Sequence, residues 1–250
     1  MKNIINWKTF SILAGACALA SLLVIPYQVA LTPELADMGL SLYIGALVQG
    51  LVIFSVAAFL GLLLARKVGF DLPVFEGPDK WDRFMEVLRL STIWGFGCGV
   101  LIVLGDLGFL GFSASLAHQE VNIPTWAALL ASFYGGFAEE VLMRLFVMTL
   151  FIWLFSLARK TDKGSPASWG VWAAILLSNV LFGLGHLPAT SALMEITGKI
   201  VARAIVLNSI GGVVYGWLYW KKGLASAMIA HFTTDIVIHI VAPAMARAFM

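Results

Sequence analysis

The sequence predicts an all-α fold, a polytopic transmembrane helix bundle built around a polar cavity. Of the 250 residues, 60% are hydrophobic and 12% are charged, whereas soluble domains carry roughly 25% charged residues. Long apolar runs alternate with short polar stretches, so the surplus of apolar side chains is expected to face lipid. We therefore predict one membrane domain over residues 1–250, integral to a membrane.

Seven segments are long and apolar enough to cross a bilayer, since a helical span needs about 20 such residues. The second and fourth are long enough to tilt or break, and an eighth span hidden in a long segment would change the topology. The predicted spans are 9–31, 39–65, 88–112, 126–157, 168–187, 201–220 and 224–246. Residues 68–87 mix Gly, Pro, charged and aromatic residues, which predicts a loop with an interfacial stretch anchored by Trp81 and Phe84.

Lysine and arginine are concentrated in alternate loops, the pattern that marks the cytoplasmic side of a membrane protein. The N-terminus is therefore predicted to be cytoplasmic. The basic residues are Arg66, Lys67, Lys80, Arg83 and Arg89 after the second span, Arg159, Lys160 and Lys163 after the fourth, and Lys221 and Lys222 after the sixth. A net charge of +2 is too small to predict a nucleic-acid partner.

Ionisable side chains inside apolar spans are expensive, and they persist where they are paired or functional. They are therefore the candidate site residues. The set comprises Glu139, Glu140 and Arg144 in the fourth span, His186 at the end of the fifth, and His231, Asp235 and His239 in the seventh. Asp106, near the end of the third span, is expected to lie at the interface.

Helical spacing separates the two neighbouring glutamates of the fourth span. Glu140 and Arg144 are four residues apart and share a helix face, which predicts a structural ion pair. Glu139 has no partner on its own helix, so this lone carboxylate is a candidate general base or acid. A structural ion cluster of all three side chains is the alternative.

Histidines occur on two other spans. His231, Asp235 and His239 follow one another at four-residue intervals and form one stripe. Asp235 is expected to orient an imidazole, whereas His239 is expected to be structural or interfacial. His186 is followed by Pro188, which favours a helix end, so its imidazole could face a water-containing cavity.

Three short motifs on three spans resemble, in order and chain position, those of the CAAX-protease and bacteriocin-processing family of intramembrane proteases. They are Glu139-Glu140-x-x-x-Arg144, Phe182-x-x-x-His186 and His231-x-x-x-Asp235. The resemblance covers about residues 125–240. Asp235 stands where prenyl-protein endopeptidases usually have Asn. The Asp variant is known across the wider family, so the family resemblance is intact, but the case for prenyl-protein specificity is weaker.

The resemblance implies a water-filled cavity in which a peptide bond of a membrane-borne or lipid-modified peptide is hydrolysed. Glu139 and His186 match the residues that activate water. His231 and Asp235 match those proposed to stabilise the oxyanion. Structural support is implied for Glu140, Arg144 and Phe182. The partners implied are membrane lipid and a peptide or membrane-protein substrate.

Alternatives stay open at this point. No cofactor is expected, although Glu139, His186 and His231 could together bind Zn²⁺ with one open position. A non-proteolytic immunity or scaffold protein of the same family would keep the motifs and bind a peptide or membrane partner, because a fold does not prove turnover. A proton-coupled transporter would also use intramembrane carboxylates, but the sequence shows no internal repeat.

Depth in the membrane conflicts with a shared site. At about 1.5 Å per residue, His231 lies near 10 Å from the end of its span at residue 224. His186 lies near 27 Å from the same side, counted from residue 168. The two can meet if the seventh span is set deeper, if the fifth begins outside the bilayer, or if Gly135-Gly136 and Gly183 with Gly185 mark helix breaks.

Overall fold

The computed structural model describes residues 5–77, 79–111, 123–158 and 165–248, which are almost entirely helical. Within them, seven helices are long and apolar enough to cross a membrane. Numbered span 1 to span 7, they are Trp7–Leu31, Leu40–Val68, Lys80–Phe109, Thr125–Ala158, Ser168–Ser191, Gly198–Lys222 and Leu224–Ala248. The predicted all-α transmembrane bundle is confirmed. The main difference is in span 3, whose helix begins at Lys80 rather than at residue 88.

Prolines divide two of the spans into shorter helices. Span 1 consists of Trp7–Leu23 and Ile25–Leu31, and span 5 of Ser168–Gly185 and Leu187–Ser191. Each second helix carries its proline in the first turn, where the missing N–H costs no hydrogen bond. Two short helices, Pro33–Met38 and Pro73–Glu76, lie between spans.

Spans 4 and 7 contain π-helix, in which hydrogen bonds run from residue i to i+5. In span 4 the π segments are Tyr134–Glu139 and Val141–Met148, between the α-helices Thr125–Phe133 and Thr149–Ala158. In span 7 the π segment is Val237–Val241, between Leu224–Ile236 and Ala242–Ala248. Such segments are rare and are frequent at functional sites. Gly135 and Gly136 therefore do mark an irregularity, whereas Gly183 lies within a continuous α-helix.

One end of the bundle carries Arg66 and Lys67 in the last turn of span 2 and Lys221 and Lys222 in the last turn of span 6. We call it the basic end. Residues 69–77, here the cover segment, fold back over it.

Two contacts hold the cover segment in place. The ring of Phe70 packs edge-on against Tyr219, with 5.4 Å between centroids. Pro73 lies so close to Gly223 that a Cβ there would be 2.8 Å from its Cδ. Leu224, the first residue of span 7, is consequently fully buried.

Small residues on span 3 let its backbone approach span 7. Gly95 lies directly against the carbonyl of Ala230, and the Thr234 hydroxyl donates a hydrogen bond of 2.9 Å to the carbonyl of Gly95. The hydroxyls of Ser91 and Ser226 are hydrogen-bonded at 2.6 Å. Close approach through small residues with polar links is the usual means of helix association in membranes.

We predict that Gly95→Ala destabilises the bundle by about 1–3 kcal/mol, the usual cost of overpacking. The added methyl would meet the Ala230 carbonyl and the Thr233 side chain. Gly97→Ala is the matched control, because a Cβ there has no atom within 4 Å. Thermal unfolding in detergent measures both variants, and equal midpoints would contradict the proposed contact.

Candidate active site

His231 of span 7 lies at the centre of a cluster that spans 4 and 7 bring together inside the bundle. Its imidazole is surrounded by three carboxylates. The Nδ1 atom is 2.9 Å from Oε1 of Glu140, and the Nε2 atom is 3.7 Å from Oε2 of Glu139 and 3.6 Å from Oδ1 of Asp235. Glu139 and His231 are thus within the distance that one bridging water can span.

Glu140 orients the His231 ring. A carboxylate can only accept a hydrogen bond, so the 2.9 Å contact places the Nδ1 proton of His231 between the two side chains. The Nε2 atom then points toward Glu139 and Asp235. We had expected Asp235 to orient this imidazole, but its 3.6 Å distance is too long for a hydrogen bond. Glu140 makes that contact instead.

The predicted ion pair of Glu140 and Arg144 forms within span 4. Oε2 of Glu140 lies 3.4 Å from Nε of Arg144, and neither side chain has any exposed surface. Charge attraction holds this pair, since its geometry does not satisfy a hydrogen bond. The guanidinium also faces the rings of Phe182 and Tyr215, at 5.5 and 5.8 Å from their centroids. Such cation–π contacts favour a buried cation.

Two aromatic rings enclose the His231 imidazole. Tyr215 of span 6 stacks on it with 4.7 Å between centroids and 20° between planes, and Phe182 meets it edge-on at 5.7 Å. Sequence reasoning missed Tyr215, because nothing marks one aromatic residue in an apolar span as part of a site. Gly211, one turn earlier on span 6, leaves room for the Tyr215 side chain, because a Cβ at Gly211 would lie 2.5 Å from the Tyr215 hydroxyl.

His186 joins the cluster through Phe182. Its Nδ1 atom is 2.8 Å from the carbonyl oxygen of Phe182 and must donate to it, so Nε2 of the neutral ring is a proton acceptor. Its ring also packs edge-on against the Phe182 ring, 4.6 Å between centroids. Because both imidazoles contact the Phe182 ring, the centroids of the His186 and His231 rings are at most about 10 Å apart.

Gly135 provides the open space beside the reactive atoms. A Cβ at this position would contact Oδ2 of Asp235 and would lie 3.2 Å from Nε2 of His231. The side chain of Glu139 keeps 23% of its surface exposed, so the cluster is not sealed. Sequence reasoning noted Gly135 only as a helix irregularity and missed this role.

Two other polar residues of the spans lie apart from the cluster. His239 is 3.3 Å from the Tyr27 hydroxyl through Nδ1. Asp106, expected to lie at a helix end or at the interface, is near the end of span 3. Its side chain is mostly buried, and its Oδ1 atom is 2.5 Å from Nε of Arg203. Sequence reasoning had not singled out Arg203.

The alternative zinc set of Glu139, His186 and His231 is not assembled. In the part of the chain that the structure describes, no three His, Cys, Asp or Glu side chains are placed to hold one metal ion. Phe182 contacts both imidazoles, which explains why the two rings do not converge on one point.

We predict that Arg144→Met lowers the free energy of unfolding by about 3–5 kcal/mol, because it leaves the Glu140 carboxylate buried without its counter-charge. The double variant Glu140→Gln/Arg144→Met should recover part of this loss. Arg83→Ala, which breaks an exposed pair with Glu86, is the control and should change stability by at most about 1 kcal/mol. Denaturation in detergent reports all three, and a wild-type midpoint for Arg144→Met would refute the role of the pair.

One family model matches the chain: that of the type II CAAX prenyl endopeptidases, Rce1-like, over residues 121–237. This stretch contains the three motifs and every residue of the cluster around His231. No curated protein and no solved structure matches the chain. The resemblance seen in the sequence is confirmed by the family match. Residues 121–237 of this membrane protein, which carry the motifs, are thus similar to the Rce1-like type II CAAX prenyl endopeptidases.

Proposed function

We propose that this protein is an intramembrane endopeptidase that hydrolyses a peptide bond of a membrane-borne or lipid-modified peptide. The observation that carries the proposal is the approach of Glu139 and Asp235 to Nε2 of His231, at 3.7 and 3.6 Å, inside a transmembrane bundle. The family match over residues 121–237 supports the reaction class. The predicted cytoplasmic N-terminus belongs to the same proposal.

Glu139 is the proposed general base. Both oxygens of the Glu140 carboxylate are engaged, one by Arg144 and the other by Nδ1 of His231. Glu139, by contrast, is partly exposed and lies near Nε2 of His231. A water between Glu139 and His231 would transfer a proton to Glu139 as its oxygen attacks the scissile carbonyl carbon. His186 is the second proton acceptor, because its Nδ1 proton is held by the Phe182 carbonyl.

His231 is the proposed donor to the oxyanion. Its Nδ1–H is used by Glu140, so the protonated ring offers Nε2–H to the negatively charged oxygen of the tetrahedral intermediate. Asp235 cannot donate while it is ionised, and we assign it to stabilising the positive charge on His231, as a carboxylate does in other hydrolase sites. Collapse of the intermediate breaks the C–N bond, and the leaving amine takes the proton from Glu139.

Glu139→Gln is expected to reduce the rate of peptide cleavage by about 10²–10⁴-fold, the usual contribution of a general base. The amide keeps the shape of the side chain, so the midpoint of thermal unfolding should not change. Mass spectrometry of a peptide library incubated with proteoliposomes measures the rate. Glu34→Gln, a change at an exposed carboxylate of the short helix Pro33–Met38, is the control. Cleavage by Glu139→Gln at the control rate would rule out the proposed base.

Gly135→Ala is expected to lower kcat by about 100-fold, since a displacement of about 1 Å at reacting groups has this effect. Its methyl would displace the Asp235 carboxylate and crowd His231. Gly136→Ala is the neighbouring comparison. That methyl meets Phe232 and the Met228 carbonyl rather than the reactive atoms. The variant should therefore have a lower unfolding midpoint, while its kcat should fall less than that of Gly135→Ala. Similar kcat values for the two variants at equal folded yield would contradict the placement of the reactive atoms.

A further inference from the structure

The cluster around His231 is closed toward the basic end and keeps some exposed surface. Toward the basic end the packing is dense, and the cover segment lies over it. The fully buried side chains there include Leu145, Met148, Leu218, Leu224 and Ala227. Within the cluster, the side chains of Asp235 and Glu139 keep 12% and 23% of their surface exposed.

At the end of the bundle opposite the basic end, a cavity of about 190 Å³ lies between spans 1, 3, 6 and 7. Its walls are aliphatic, with Leu207 and Ile238 among them, and it is larger than the roughly 150 Å³ cavity that accepts benzene in an engineered protein. Its polar lining comprises two pairs and one further cation. The pairs are the ion pair of Asp106 with Arg203 and the hydrogen-bonded pair of Tyr27 with His239, and the further cation is the exposed Arg247.

The cavity borders the cluster. His239 follows Asp235 by one helical turn on span 7, and its ring lies edge-on against Tyr27, 5.4 Å between centroids. The Tyr27–His239 pair of the cavity therefore lies about one helical turn from Asp235 along span 7.

We propose that this cavity binds the polar backbone of the substrate peptide beside the scissile bond, and that the substrate reaches His231 from the end of the bundle opposite the basic end. The inference rests on the proposed function in one respect, namely that the substrate is a peptide.

The chemistry of the cavity fits such a ligand. A peptide bond must leave its helix to be attacked, and an extended segment in lipid needs partners for its N–H and C=O groups. The charges of Asp106 and Arg203 cancel, while together they provide both an acceptor and donors. Such a pair suits the N–H and C=O groups of a peptide, the exposed Arg247 adds one positive charge to the lining, and the aliphatic walls suit a substrate side chain.

Single cysteines test the route of access. The native Cys17 and Cys98 are buried and are replaced by Ala. Leu193→Cys reports on the cavity, and Asp71→Cys reports on the exposed surface of the cover segment. A charged thiol reagent that does not cross membranes is applied to right-side-out and inverted vesicles. The two cysteines should react in opposite vesicle orientations. Reaction in the same orientation would overturn the proposed route.

The role in binding has a separate readout. Reagent attached at Leu193→Cys should raise KM about tenfold, the equivalent of one lost hydrogen-bonded contact. Glu195→Cys, exposed two residues away, is the matched control, and its modification should leave cleavage unchanged. Unaltered KM after complete modification at position 193 would overturn the binding role and leave the proposed function intact. Absence of cleavage in the parent protein would refute the proposed function, while the vesicle labelling would still decide the route.

Discussion

The site depends on three buried side chains that interact in a row, in which Glu140 links Arg144 on one side to His231 on the other. The Arg144 guanidinium balances the carboxylate, and the carboxylate fixes the imidazole at 2.9 Å. A charge without a partner is costly in a membrane interior, so these groups stabilise one relative position of spans 4 and 7. The ion pair therefore has a structural and a functional consequence at once.

The adjacent residues Glu139 and Glu140 have different roles because their environments differ. Glu140 is fully buried and is shared between a cation and a ring nitrogen, whereas Glu139 is partly exposed and faces the open side of the same ring. Consecutive residues on a helix point about 100° apart, so one side chain can be used for support and the next for chemistry. The π-helix around them changes the angle at which each enters the cluster.

Much of this arrangement could be predicted from the sequence. Hydropathy indicated seven spans, and the four-residue spacing of Glu140 and Arg144 indicated their pairing, because both signals are local. The contact of His231 with Glu140 was not predicted, because it depends on how two spans rotate against each other. Tyr215 and Arg203 were missed for the same reason, as their partners lie on other spans.

The glycines explain how the polar atoms come so close together. In a bilayer, helices gain little from burying apolar surface against one another, and their separation is set by the size of the residues between them. Gly95 lets span 3 touch the backbone of span 7, and Gly135 lets span 4 approach Asp235 and His231. A larger side chain at either position would push that span away from span 7. Glu139 belongs to span 4 and stands 3.7 Å from the imidazole of span 7, so a larger residue at position 135 would change the distance between the proposed base and His231 directly.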